Sequence, residues 1–556
     1  MKNRYLLSAV VLTAGVALLV ATAFAGAASS APAAKAKAEA RGGTLRIDTA
    51  GGSDFDFIDP QLAYFSHSWQ LGNAVQLHLL GYPDKEGAEG SRLRAEAATG
   101  LPAVSKDGKT YTFKIKPGFL FSDGKPVTAA NFAASIQRAL NPKMNSPAAS
   151  FVEDIVGGKA VLDGKAASAS GVSATGQTLT IKLTKVAPDF LARMTMEFFP
   201  AIPANTPIVA EGIGAPMVSA GPYYVKEWVK SRTATVVRNP NWNNAKEPWK
   251  SLGRPANVDA MQITIGNTPD AIKLRLDTNQ TDLGGIPPAA IAEVVQKYGI
   301  NKGRFFLRKE LVFWYLALNH DRVFKDTKLA QAVNWAIDRP QMVRQWGYLA
   351  GARTDQILPP GMPGYKDWNI YPLAGVNQTA INKAKSLLAG SSVKNVVFYT
   401  SNRAPAPQVA QVVQFNLKQI GIDAEIKQFD RVVEHQKVAT RGEPFDIAHA
   451  GWGADYPDPS NFINVLFDGT RILETNNVNE SYFNDPAYNK RMAEASVLSG
   501  DQRLKSYGEL DRDLTKVGAA ASYFNRAGRI YVSDSLGCFQ YSPVHSTTNL
   551  VSVCKK

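Results

Sequence analysis

Short stretches of period-two hydrophobicity alternate with stretches of helical period along nearly the whole of this chain. No single layer of secondary structure satisfies that order. Thr110 to Lys116 alternates as a half-buried strand, is broken at Pro117-Gly118 and is turned again over Ser122 to Pro126. Thr128 then caps a predicted helix to about Leu140, with Phe132, Ile136 and Leu140 on one face. Strands are predicted from Gly42 to Ile47, and over 179–184, 223–228, 234–238, 313–319, 396–400 and 424–429. Helices are predicted over 329–337, 340–346, 408–420 and 503–517. Strands interleaved with amphipathic helices, with hairpin-like turns among them, imply an α/β fold with mixed sheets. The 556 residues exceed what one hydrophobic core serves, so two or three lobes are expected.

The first residues predict export. Lys2 and Arg4 precede an apolar run from Leu6 to Val20, and small-residue cleavage sites follow around Ala25 and Ala27. A signal peptide over 1–25 and a flexible leader over 26–41 are expected; the competing reading is an uncleaved anchor. No cysteine near the cleavage site offers a lipid anchor, so the protein is expected in a periplasmic or extracellular space. Cys538 and Cys554 are the only cysteines. In an oxidising compartment that pair invites a disulfide contributing about 2–4 kcal/mol; the alternative is two unpaired thiols.

The net charge of +14 is spread along the chain and not gathered in blocks. That favours solubility and gives no sign of nucleic-acid recognition. No Gly-x-Ser-x-Gly elbow, His-Glu-x-x-His pair or phosphate loop occurs, and Gly118 to Lys125 reads as a turn. The six histidines lack ligand spacing and read as ordinary packed or solvated residues. His449, near Asp455, is the best exception. No catalytic residue, metal site or cofactor is therefore expected.

One segment does suggest chemistry. Phe445 to Phe467 opens as an apolar strand over 445–448. It then places Trp452, Asp455, Tyr456 and Asp458 on a Gly/Pro-rich turn before apolar spacing resumes. An aromatic wall excludes water, so a carboxylate beside it attracts a cation through a lower dielectric. The alternative is a surface turn whose Asp and Pro set backbone angles.

The chain as a whole resembles the extracellular solute-binding proteins of ABC importers, of the oligopeptide, dipeptide and nickel-binding type. The resemblance rests on Asp107 to Lys116 followed by Phe121 to Phe132, in which Asn131 replaces the usual acid. It continues in order through Ser219 to Val225, Arg238 to Trp242, Leu318-Asn319, Gln331 to Arg339, Leu358 to Pro360 and Gly451 to Pro459. It implies a two-lobed periplasmic-binding-protein clamshell with mixed sheets and an extra subdomain. Lobe I would comprise 42–75, 200–305 and 525–556, the subdomain 76–199, and lobe II 306–524.

It further implies a non-enzymatic monomer that captures short peptides and delivers them to membrane permease subunits, which draw on ATP hydrolysis elsewhere. Asp455 would pair with the peptide's amino terminus, with Trp452 and Tyr456 shaping the wall. Asp458-Pro459 would stabilise the turn. Rival guests are an oligosaccharide, a nickel chelate or an opine-like compound. Rival roles are a secreted peptide hydrolase, a sensor or a chaperone.

Overall fold

A computed structural model describes residues 41–50 and 54–556. The predicted signal peptide and all of the leader except Arg41 lie outside the described residues. Fifteen strands and seven helices matter here. The first half contributes β1 (Thr44–Ala50), α1 (Ser66–Val75), β2 (Ala103–Val104), β3 (Thr110–Lys114), α2 (Ala129–Leu140), β4 (Val172–Thr175) and β5 (Thr178–Lys182). After these come β6 (Tyr223–Val229), β7 (Thr233–Arg238), β8 (Ala260–Asn267), β9 (Leu283–Gly284), β10 (Phe305–Leu318), α3 (Thr327–Ala336) and β11 (Gly351–Arg353). The remainder supplies β12 (Asn395–Ser401), α4 (Ala406–Gln419), β13 (Asp423–Phe429), α5 (Arg431–Val438), β14 (Ile447–Gly453), α6 (Ser460–Phe467), α7 (Gly500–Val517) and β15 (Ala520–Val532).

An 11-stranded mixed sheet runs in the order β13-β12-β14-β10-β15-β9-β1-β8-β7-β6, with β11 added to β15. A separate four-stranded antiparallel sheet, β2-β3-β5-β4, carries α2. The mixed α/β class expected from the alternation is the observed one.

Two long antiparallel strands, β10 and β15, run through the middle of the large sheet. Their register shifts between Lys309 and Phe313 and again between Trp314 and Tyr315. The pattern of residues 313–319 alone suggests a strand, yet β10 begins at Phe305. Its first half is masked in sequence by charges that the fold neutralises. Arg308 pairs with Glu86 at 2.8 Å, and Arg526 pairs with the buried Glu310 at 2.5 Å. Apolar side chains on both faces of the sheet form the cores, each fully buried Leu, Ile or Phe contributing about 1.5–3 kcal/mol.

Several sequence motifs prove to be local braces. Asn131 reaches back so that its Oδ1 accepts the Thr128 backbone N–H at 2.8 Å, the capping role an acid would fill. The fully buried Arg339 donates to the carbonyls of Asn334, Thr354 and Ser522 and to the Asn334 side chain, tying the end of α3 to β15. Cys538 and Cys554 are bonded. The bridge joins the short antiparallel pairing of Leu536-Gly537 with Cys554-Lys555. Lys555 then reaches the buried Asp282 at 2.6 Å, beside Arg46 at 3.0 Å. Burial alone would raise the Asp282 pKa, but hydrogen bonds from Arg46, Lys555 and Ser535 hold it well below the carboxylate range.

Candidate functional site

Strand β14 pairs antiparallel with β10, setting Trp452 opposite Phe313 and Gly453 opposite Val312. Trp452 therefore lies on the strand and not on the following turn, as the sequence pattern had suggested. The pairing with β10 carries the strand through Gly453, while Phe445 precedes its start at Ile447. The chain then turns over Asp455 to Pro459 into α6. Asp458 fixes that turn, its carboxylate accepting the Ser460 N–H at 2.9 Å and a two-pronged contact from Arg503 at 2.8 and 3.2 Å.

Asn461, on the first turn of α6, organises Asp455 itself. Its Oδ1 accepts the Asp455 N–H at 2.9 Å and the Trp452 indole N–H at 3.3 Å. Its Nδ2 donates to Asp455 Oδ2 at 2.7 Å. The third contact comes from the other end of the chain, where the Tyr64 hydroxyl donates to the same oxygen at 3.1 Å. The Tyr64 ring also meets Trp452 edge-on at 6.0 Å.

The segment carrying Tyr64 is tied down by buried carboxylates. Asp56 accepts the Tyr64 and Phe65 backbone N–H groups at 2.7 and 3.0 Å, and Arg138 of α2 grips Asp59 with two bonds of 2.6 Å in the interior. Asp455 thus sits at a seam between residues 54–69 and 447–467. It is 5 % exposed. Its partners are neutral, and no cation pairs with it among the described residues. Oδ1 accepts no hydrogen bond from these groups. Burial pushes the carboxyl up to about 7 against the downward pull of Asn461 and Tyr64.

Tyr456, also buried, is directed elsewhere. Its hydroxyl donates to Asp189 at 3.2 Å, as does Ser460, and Arg193 stands 3.4 Å from the same carboxylate. These groups line a recess of about 340 Å³. His449 is on β14 but is a core residue. Its Nε2 shares a hydrogen bond of 2.7 Å with the Tyr523 hydroxyl, its ring stacks on Trp314 at 5.0 Å, and burial pulls it down to about 3. The structure therefore brings Asp455 and Trp452 together and turns Tyr456 to Asp189.

Sequence reasoning missed three contributors. Asn461 carried a usable signal, a helix-initiating position six residues past an acid on the same turn. Tyr64 carried none, since its partner lies 391 residues away. Helix α5 was likewise unforeseen. Arg431 lies 5.5 Å from the centre of the Phe65 ring, and His435 stands 6.3 Å from it. His67 has accessible surface, yet burial together with Arg403, Arg431 and Arg526 pulls it down to about 4. Among the described residues no group of three His, Cys, Asp or Glu side chains is placed to hold a metal ion.

Comparison with known proteins is consistent along the chain. The model of the bacterial extracellular solute-binding proteins, family 5, matches residues 92–473. The periplasmic oligopeptide-binding protein OppA of Salmonella typhimurium is 25% identical over 443 residues, covering 75% of this chain and 76% of that protein. The periplasmic murein peptide-binding protein MppA of Escherichia coli is 26% identical over 410 residues, covering 71% and 72%. Among solved structures, the clavulanic acid biosynthesis oligopeptide binding protein 2 superposes with a TM-score of 0.80 at 22% identity, covering 93% of this chain and 96% of that one. Haemophilus influenzae OppA, in complex with the peptide RPPGFSPFR, gives 0.77 at 20% identity, covering 93% and 99%. These structures share the mixed α/β fold described above.

Proposed function

This chain belongs to the bacterial extracellular solute-binding proteins of family 5, a family of binding proteins and not of enzymes, and from that premise we propose that it captures short peptides by their amino termini at Asp455. The peptide would lie in a cleft between two lobes, and the loaded protein would deliver it to the permease subunits of an ABC importer. The carrying observation is Asp455 itself: a buried carboxylate whose partners among the described residues are neutral, with Oδ1 left over. An ammonium group at Oδ1 gains a charge-assisted bond in a low dielectric and leaves Tyr64 and Asn461 in place on Oδ2. Relatives named for binding oligopeptides, murein peptide and glutathione support a peptide guest.

The lobe boundaries follow the resemblance: 42–75, 200–305 and 525–556 against 306–524, with 76–199 appended. The register shift of β10 between Lys309 and Phe313 supports a hinge there, because a disrupted ladder bends more readily than a regular one. The contacts of Tyr64 with Asp455, Asp189 with Tyr456 and Glu86 with Arg308 cross these boundaries as closure contacts would. Export into a periplasmic or extracellular space, with an N-terminal signal, completes the proposal.

Calorimetry with short peptides tests it. Peptides with free amino termini are expected to bind, and either acetylation of the terminus or Asp455→Asn is expected to weaken binding by about 3–5 kcal/mol, because a buried charge then loses its partner. Equal affinity for free and acetylated peptides would refute the amino-terminal anchor.

A further inference from the structure

Two donors share one oxygen of Asp455, and they come from different sides of the seam. Asn461 bonds Oδ2 at 2.7 Å from the helix that follows the Asp455 turn. The Tyr64 hydroxyl bonds the same oxygen at 3.1 Å from residues 54–69. The Asn461 bond lies within one stretch of seven residues and persists when the two sides part. The Tyr64 bond exists only while they meet.

Tyr64 is built to stay with its own side. Its ring packs against Trp69 at 5.7 Å and Phe198 at 5.0 Å. The Trp69 indole N–H donates to the Ala63 carbonyl at 2.8 Å. The Gln61 amide donates to the Phe198 carbonyl at 2.8 Å and to the Ser135 hydroxyl at 2.9 Å. Ser68 donates to Asp56 at 2.5 Å, beside the two backbone N–H groups that Asp56 also accepts. Across the seam the ring keeps only its edge-on aromatic contact with Trp452, and among the described residues its hydroxyl has no hydrogen-bond partner but Asp455.

A hydroxyl bonds an ionised carboxylate about twice as strongly as a neutral acceptor. A seam that shuts empty buries Asp455 without a cation, which is costly and drives the carboxyl towards its neutral form. A guest ammonium at Oδ1 keeps the carboxylate ionised inside the shut seam, and the Tyr64 bond then reaches full strength. We infer that the Tyr64 hydroxyl is a positioning group that couples guest charge to closure: it turns the charge that an amino terminus maintains on Asp455 into a bond between the two lobes. The inference rests on the amino-terminal reading above and on the lobe boundaries that go with it. Tyr64 acts through Asp455, so its effect depends on what the guest presents there.

The test is a cycle of two changes, Tyr64→Phe in the protein and acetylation of the guest's amino terminus. Calorimetry and stopped-flow dissociation are applied to three tetrapeptides of unrelated sequence. Tyr64→Phe keeps the ring and removes only the hydroxyl. The variant is expected to bind free-amine peptides about thirtyfold more weakly, with the change in the dissociation rate because the bond forms only as the lobes meet. For acetylated peptides the loss should be about threefold, that of a bond to a neutral acceptor. In an Asp455→Asn background the effect of Tyr64→Phe should shrink in the same way; a full effect there would overturn the coupling. An equal loss for free and acetylated peptides would make the hydroxyl a structural contact and overturn the coupling too, while an acetylation penalty in the wild type leaves the anchor standing. A wild type indifferent to acetylation overturns the anchor and the coupling with it.

Discussion

Replacing Asp455 by asparagine should stabilise the empty protein while weakening its binding, and the size of the effect follows from burial. The carboxyl ordinarily titrates at 3.8 and is pushed up to about 7 in the fold. Below pH 3.8 it is neutral in both states and costs nothing extra. As pH rises from 3.8 to 7 the unfolded chain ionises while the folded protein keeps its proton, so stability falls. Above 7 both states are ionised and the full penalty of about 4 kcal/mol remains. Between pH 5 and pH 8 the accumulated difference is about 2.5 kcal/mol by the same relation. Asparagine keeps the volume and does not titrate. Urea denaturation of guest-free wild type and Asp455→Asn at pH 5, 6, 7 and 8 should show the variant's advantage growing by about that amount, in step with pH. Other groups that titrate in this range, such as Asp511 at about 7, are common to both proteins and cancel. Parallel stability curves would mean that Asp455 is solvated in solution, and the argument for its role would fail with them.

Two further outcomes are expected. Peptide affinity should peak near pH 7.4 and be about fivefold weaker at pH 6, because guest binding must expel the Asp455 proton on the acid side and retain the peptide's own ammonium proton on the alkaline side; calorimetry across pH 6–9 reads this directly. Asp282→Ala should cost about 3–5 kcal/mol in chemical denaturation, since it strands Arg46 and Lys555 around an empty interior position.

How far these features are legible in sequence depends on where their partners lie. Period-two and period-3.6 patterns locate β3, β7, α2 and α4 because one face of each meets a core and the other meets water. The same logic truncates β10, whose Arg308, Lys309 and Glu310 read as surface until Glu86 and Arg526 are seen to neutralise two of them. It also ends β14 too early, because Gly451 and Gly453 read as a turn where the pairing with β10 makes a strand. Of the site, Asp455 and Trp452 stand out as an acid beside a large aromatic. The direction of Tyr456 cannot be read locally, because Asp189 decides it from 267 positions away. Tyr64 reaches Asp455, and Arg431 reaches Phe65 beside it, only through the fold.

The large sheet also dictates an order of biogenesis. Strand β1, the first in the chain, finds its neighbours in β8 and β9, and β9 is flanked by β15. Lys555, from the last pairing, closes over Asp282. A nascent chain still held by the ribosome lacks these late pieces, so its opening strand has no finished sheet to join. Such a topology leaves the sheet open at its centre until the strand over 520–532 has been made, near the end of synthesis.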